Sequence, residues 1–301
     1  MDLADKMELD PALPKWGVSD NASNMVKAIN MSIVELYTCC CHTQQLAING
    51  ALKKFKDTAD DETMANVADK CRKLGNHLKR ADNSRKLLFE ECEITDHYPK
   101  AVPVGNDTRW DSTVDCMEGV LYHEECFMRL ARNGLLQVEG SDGIKRKIIP
   151  SIINFLMIKA GVKILKHCKI TTKIFEQEKV PTVPLVTDRL FTMDKELEDF
   201  INDKTNRKKD LKAVEFAEVL REELEKRFPE YGTNHLINAM GNYLNPNLKG
   251  IHLKLLKKMD KTKEEMEEKL SEWKNETEEA KSDDDSEEEI EEPPKKLSPT
   301  Q

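Results

Sequence analysis

The stretch Val18-Ser19-Asp20-Asn21-Ala22-Ser23-Asn24-Met25 sets one carboxylate between an apolar run and a helical stripe. Trp16 and Val18 read as the end of a strand, and Met25, Val26, Ile29 and Ile33 recur at helical spacing. Strand, carboxylate, turn and helix is how an open α/β sheet presents an acid at the carboxyl end of a strand. Ser23 or Asn24 is placed to cap the helix by bonding its free N–H groups. Asp20 in that setting either binds a divalent ion or is simply solvated at a capped turn.

Three other constellations carry possible chemistry. Cys39 and His42, in Cys39-Cys40-Cys41-His42, have a Cys-x-x-His spacing that can chelate zinc. A structural zinc site needs four ligands, and the chain offers no second Cys-x-x-Cys or His-x-x-x-His pair. His77, Cys71, Cys92 and His97 are scattered along it. The structural alternative packs Cys39 into a core and bonds His42 to backbone or a carboxylate. Arg109-Trp110 could stack on an unpaired base while the guanidinium holds phosphate, or the indole could anchor a helix start. Lys159, Lys163 and Lys166 share one helix face at i, i+4 and i+7, and further basic groups lie at 204–212 and 249–261. Such faces either neutralise phosphates, with salt-sensitive affinity, or are merely solvated.

These residues hang on a chain that reads as mainly α. Apolar spacing predicts helices over Leu46–Phe55, Asp60–Phe89, Pro150–Cys168, Leu185–Phe200, Leu211–Phe228, His235–Tyr243 and Leu255–Trp273. Ser112 with Asp115 fits a capping box for a helix carrying Val114, Met117 and Leu121. Pro150 suits a first-turn position. Gly140–Gly143 and Asn245-Pro246-Asn247 read as turns. Four segments result: a loose leader at 1–15, a strand-plus-helix region at 16–105, a helical region at 106–275 and a disordered acidic tail at 276–301.

Of 301 residues, 39% are hydrophobic and 34% charged, with a net charge of −9. Lys261–Gln301 holds 16 acidic and 7 basic residues, so the other 260 residues, with 40 of each sign, are neutral. The low pI describes the tail and leaves nucleic-acid binding by local basic faces open. That tail can bind basic proteins, shield the basic faces or keep the chain soluble. Eight cysteines in a long helical chain need no disulfide framework, so reduced thiols in cytosol or nucleus are expected. Ile148–Leu165, the most apolar stretch, is broken by Pro150, Asn154, Lys159 and Lys163, so no membrane partner is expected.

In this order the segments resemble the hAT transposase superfamily, including its domesticated, BED-finger-associated descendants. The matching pieces are Ser19–Met25, Cys39-x-x-His42 with Gln45-Leu46, Thr108-Arg109-Trp110-Asp111-Ser112-Thr113, Pro181–Pro184 and Tyr243-Leu244-Asn245-Pro246-Asn247-Leu248-Lys249, covering roughly Trp16 to Leu256. The resemblance implies an RNase H-like core interrupted by a helical insertion domain, and DNA strand transfer by an Asp-Asp-Glu triad with two divalent ions. It implies that Asp20 descends from the second triad Asp, that Trp110 matches the base-stacking Trp, and that the helices after Ser112 form the insertion domain. It also implies a nuclear protein.

The chain departs from that pattern. No strand ending in Asp is evident ahead of Val18, no matching Glu motif follows Lys249, the BED-type zinc finger is missing, and Asn245 and Asn247 replace the usual Asp and Arg. One carboxylate does not organise two metal ions. The expectation is therefore a truncated or domesticated hAT-derived protein: a partial RNase H-like core, a helical insertion domain, no magnesium or manganese cofactor, no catalysis, residual DNA binding, and no dimerisation segment. The alternatives are an acidic helical protein-interaction module and an incomplete gene model of an active transposase. Trp16–Ser19 is then left with an unpaired strand edge.

Overall fold

The computed structural model describes residues 16–20, 27, 35–56, 62–105, 110–139, 145–147, 149, 151–177 and 181–284. The expected leader, the Ser23/Asn24 cap, Arg109, the Gly140–Gly143 turn and the tail beyond 284 lie outside these residues.

The chain is mainly helical, as its periodicity requires. Strand β1 (Trp16–Ser19) pairs in parallel with β2 (Glu35–Thr38), Trp16 opposite Glu35 and Ser19 opposite Thr38. One edge of β1 is thus paired with β2, and among the described residues no strand pairs its other edge. Next come helices α1 (Cys40–Lys54), α2 (Met64–Arg80), α3 (Asp82–Ile94), α4 (Trp110–Tyr122) and α5 (Glu124–Arg132). Strands β3 (Gln137–Glu139) and β4 (Lys145–Lys147) form an antiparallel pair. Then follow α6 (Ile152–Phe175), α7 (Val186–Asn202), α8 (Lys204–Lys209), α9 (Leu211–Arg227), α10 (Leu236–Leu244), α11 (Ile251–Leu255) and α12 (Met259–Asp284).

Helix α6 is the hub, packing on α1, α2, α4, α7 and α9. Its apolar stretch is buried at Phe155, Ile158, Ile164, Leu165 and Cys168, which is why it reads as nearly uniformly hydrophobic. Gly161 allows the close approach: a Cβ there would sit 2.5 Å from Met64 Sδ on α2 and 2.7 Å from Met117 Cε on α4. Buried polar groups fix the register of the packing. Gln44 Nε2 donates to Cys168 O at 2.8 Å, tying α1 to α6. Tyr37 Oη donates to Asn238 Oδ1 at 2.5 Å, tying β2 to α10. One cluster of buried side chains runs from Tyr37 to Phe228, and α1 packs directly on α9, so the core is continuous across residue 105.

Several boundaries differ from the periodicity. The helix predicted over Asp60–Phe89 is two helices, broken at Ala81, where ψ is 94°. Ser84 Oγ bonds His77 Nε2 across the break at 2.8 Å, and Asp82 pairs with Arg85 one turn on. Among the described residues helix α4 already includes Trp110 and Asp111, which places Ser112 within the helix, and Asp115 pairs with Lys169 of α6. The capping box belongs instead to α6, where Ser151 and Asn154 bond each other's backbone N–H. Its first residue is Ile152, past Pro150, and it continues beyond the expected end at Cys168 to Phe175. The last predicted helix is divided into α11 and α12, with Lys257 at φ 56° between them, and α12 extends past Glu276 to Asp284.

Candidate nucleic-acid interface

The parallel register of β1 and β2 carries Asp20 and Cys39 to the same end of the sheet, their carboxyl ends. Cys39 N–H donates to Ser19 O at 2.8 Å, extending the pairing by one residue. Asp20 is exposed. Among the described residues it belongs to no group of three possible metal ligands.

The Cys39–His42 turn spans a strand end and a helix start, so its side chains diverge. The structure buries Cys40 and leaves Cys39 half-exposed, the reverse of the core placement read from the sequence. Cys40 Sγ lies 3.0 Å from Tyr37 Oη, and Cys41 Sγ is 3.8 Å from Thr172 O. Cys39 sits at the N-cap of α1. A hydrogen bond from the Cys41 thiol, helped by the backbone N–H groups of His42 and Cys41, outweighs burial and lowers the Cys39 thiol to about 5. Among the described residues no third ligand joins Cys39 and His42.

Trp110 is 5% exposed. It anchors the start of α4 in the core rather than offering an open ring face. Its remaining edge lines an open groove of about 590 Å³ between α1, α2 and the start of α4. Lys53, Lys56 and Arg72 stand on this groove with Asn66, and Asp69 pairs with Arg72. Cations lining an open groove suit a polyanion.

The Lys159, Lys163 and Lys166 face is exposed, as its spacing implies. It is not uniformly basic. Lys159 Nζ lies 2.8 Å from Glu124, and Lys163 stands 5.2 Å over the Phe200 ring in a pocket that also holds Glu196, Asp199 and Asp203. Spacing on one helix could not report acids brought in by α5 and α7.

One group was missed in the sequence. Cys92, His123 and Cys126 are all buried, with their ligand atoms within 4.8 Å of one another. A His-x-x-Cys pair at 123 and 126 was the signal available. Its partner Cys92 lies on a different helix, α3, so no local spacing connects them. Among the described residues no helix is long and apolar enough to cross a membrane. No family model, no curated protein and no solved structure matches this chain.

Proposed function

We propose that this chain is a hAT transposase-derived protein that binds nucleic acid in the nucleus without strand-transfer activity of its own. The observation that carries the reading is the groove in which Lys53, Lys56 and Arg72 flank the edge of Trp110, within the Thr108–Thr113 motif that resembles the family's. The short β1–β2 pair ending in Asp20 is read as the remnant of an RNase H-like sheet, and the helices from Trp110 onward as the insertion domain. Exposed Asp20 is read as the descendant of a catalytic residue; alone it does not organise two ions.

A second reading, an acidic helical protein-interaction module, is favoured by the neutralised Lys159 face and by the acidic composition from Lys261 onward. A salt titration of fluorescent single- and double-stranded DNA separates the two. The first reading expects affinity that falls steeply with salt, and a log–log slope reduced by about two in Lys53→Glu/Lys56→Glu. Absence of DNA binding at low salt, together with capture of a basic peptide, supports the second. Magnesium-dependent nicking abolished by Asp20→Ala would overturn the non-enzymatic assignment.

A further inference from the structure

Three segments converge near the α3–α5 contact. Cys92 lies in the last turns of α3, His123 immediately precedes α5, and Cys126 is in the first turn of α5. Cys92 Sγ is 3.4 Å from His123 Nδ1 and 3.5 Å from Cys126 Sγ. A zinc ion at about 2.3 Å from each sulfur and about 2.05 Å from nitrogen, at tetrahedral angles, sets S···S near ~3.8 Å and S···N near ~3.5 Å. Both Cys92 contacts stand up to a few tenths of an ångström inside the spacing that a zinc ion imposes, and all three ligand atoms lie within 4.8 Å of one another.

The surroundings match as well. His123 Nε2 is 2.8 Å from Lys100 O. A carbonyl only accepts, so Nε2 carries the proton and donates it. In the neutral ring Nδ1 then keeps its lone pair facing Cys92. A ligand histidine held through its other nitrogen by a backbone carbonyl is the usual second layer of a zinc site. Cys126 in the first turn of α5 faces the end of the helix that favours a thiolate. Two thiolates cancel the charge of one Zn²⁺, so burial of the assembly is not opposed by a net charge.

A fourth group is at hand. His97 follows Cys92 by one turn, its N–H bonding Cys92 O at 2.8 Å. Its ring centroid is 5.2 Å from that of His123, and its Nε2 is buried without a hydrogen-bond partner among the described residues. An orphaned buried nitrogen on a ring packed against that of His123 is otherwise an uncompensated cost.

We propose that Cys92, His123 and Cys126, completed by His97 after rotation of its side chain, form a structural zinc site that clamps α3 to α5. Binding forms two Zn–S and two Zn–N bonds, releases the two thiol protons to solvent and changes no oxidation state. The arrangement is Cys-x-x-x-x-His followed by His-x-x-Cys, split between the end of α3 and the α4–α5 junction.

The test uses the full reduced chain with Zn²⁺ or Co²⁺ as the only added probe. Native mass spectrometry should find one zinc per chain, and Co²⁺ should give a thiolate charge-transfer band with the visible bands of a tetrahedral ion. Cys92→Ser/Cys126→Ser should lose both, while Cys39→Ser keeps both. His97→Ala should weaken zinc binding by at least about 10-fold, comparable to losses on disturbing a zinc shell. Should the double variant fail to fold, alkylation mapping of the unmutated chain under partial denaturation, where the buried thiols Cys92 and Cys126 become reactive, decides: zinc should protect Cys92 and Cys126 and leave Cys39 unprotected. Absence of stoichiometric metal, a Cys92–Cys126 disulfide in place of metal, or protection confined to Cys39 would overturn the site. Unchanged zinc affinity in His97→Ala would overturn the role of His97.

Discussion

Two cysteine–histidine groups are built in opposite ways. Cys39-Cys40-Cys41-His42 is contiguous, yet the junction of β2 and α1 sends its side chains toward Tyr37, Thr172 and solvent. Cys92, His123 and Cys126 are far apart in the chain, yet α3 and α5 bring their ligand atoms together in a buried pocket. Sequence proximity supplied a motif without a site, and tertiary packing supplied a site without a contiguous motif. Burial also separates the thiols. Cys39 is half-exposed at a helix start and its pKa falls, whereas burial, aided by the Cys126 thiol, pushes Cys92 up to about 12.

The contrast is sharpest in packing. Phe127 is fully buried beneath the convergent group, its ring centroid 6.1 Å from that of His123. Phe127→Ala should cost roughly 3–5 kcal/mol in urea unfolding, from lost burial plus the cavity left behind. Val18→Ala at the sheet end, where Val18 is 61% exposed, should change stability by less than about 0.5 kcal/mol. Equal costs would erase the distinction between a packed group and an exposed edge.

A smaller effect tests the electrostatic tie between the helices that hold the convergent group. Glu91 on α3 has a nearly buried carboxylate paired with the half-exposed Arg129 on α5. Arg129→Ala removes this partner from the carboxylate and should destabilise by less than Phe127→Ala and more than Val18→Ala. Adding Glu91→Gln should recover part of the loss in a double-mutant cycle. If the second change only adds to the loss, the ion pair does not hold α3 to α5. Smallest of all, Asp20→Ala should leave stability within about 0.5 kcal/mol, because the residue is exposed. A larger change would mean that Asp20 has a structural partner at the sheet end.

Much of the helical framework was legible because its signals are local. The α7, α9 and α10 boundaries follow from apolar spacing and flanking prolines to within one or two residues. The β1–β2 pairing was not legible, since parallel strands are joined by a crossover and pair through non-local contacts. Trp110 shows the limit differently. Its position at a helix start was readable, but whether the indole faces solvent or core depends on α1 and α2, which arrive from elsewhere in the chain. The Lys159 face was readable as exposed, while Glu124 and Asp203, which neutralise it, come from other elements. The break at Ala81 was hidden because the apolar stripe continues on both sides of it.

The most direct test of the two-group account is a cysteine-by-cysteine alkylation profile of the folded chain, taken from pH 5 to pH 9 with and without Zn²⁺. Cys39, with its pKa near 5, should react fastest and should lose reactivity only as pH falls toward that value. The same depressed pKa stabilises the fold fully above the ordinary thiol range, and that contribution is lost as pH falls through about 5. Cys92, buried and raised to about 12, should stay unreactive throughout. With zinc present, Cys92 and Cys126 should stay unmodified even under partial denaturation that exposes Cys71 and Cys116. Slow labelling of Cys39, or zinc protection that falls on Cys39 and spares Cys92 and Cys126, would contradict the account.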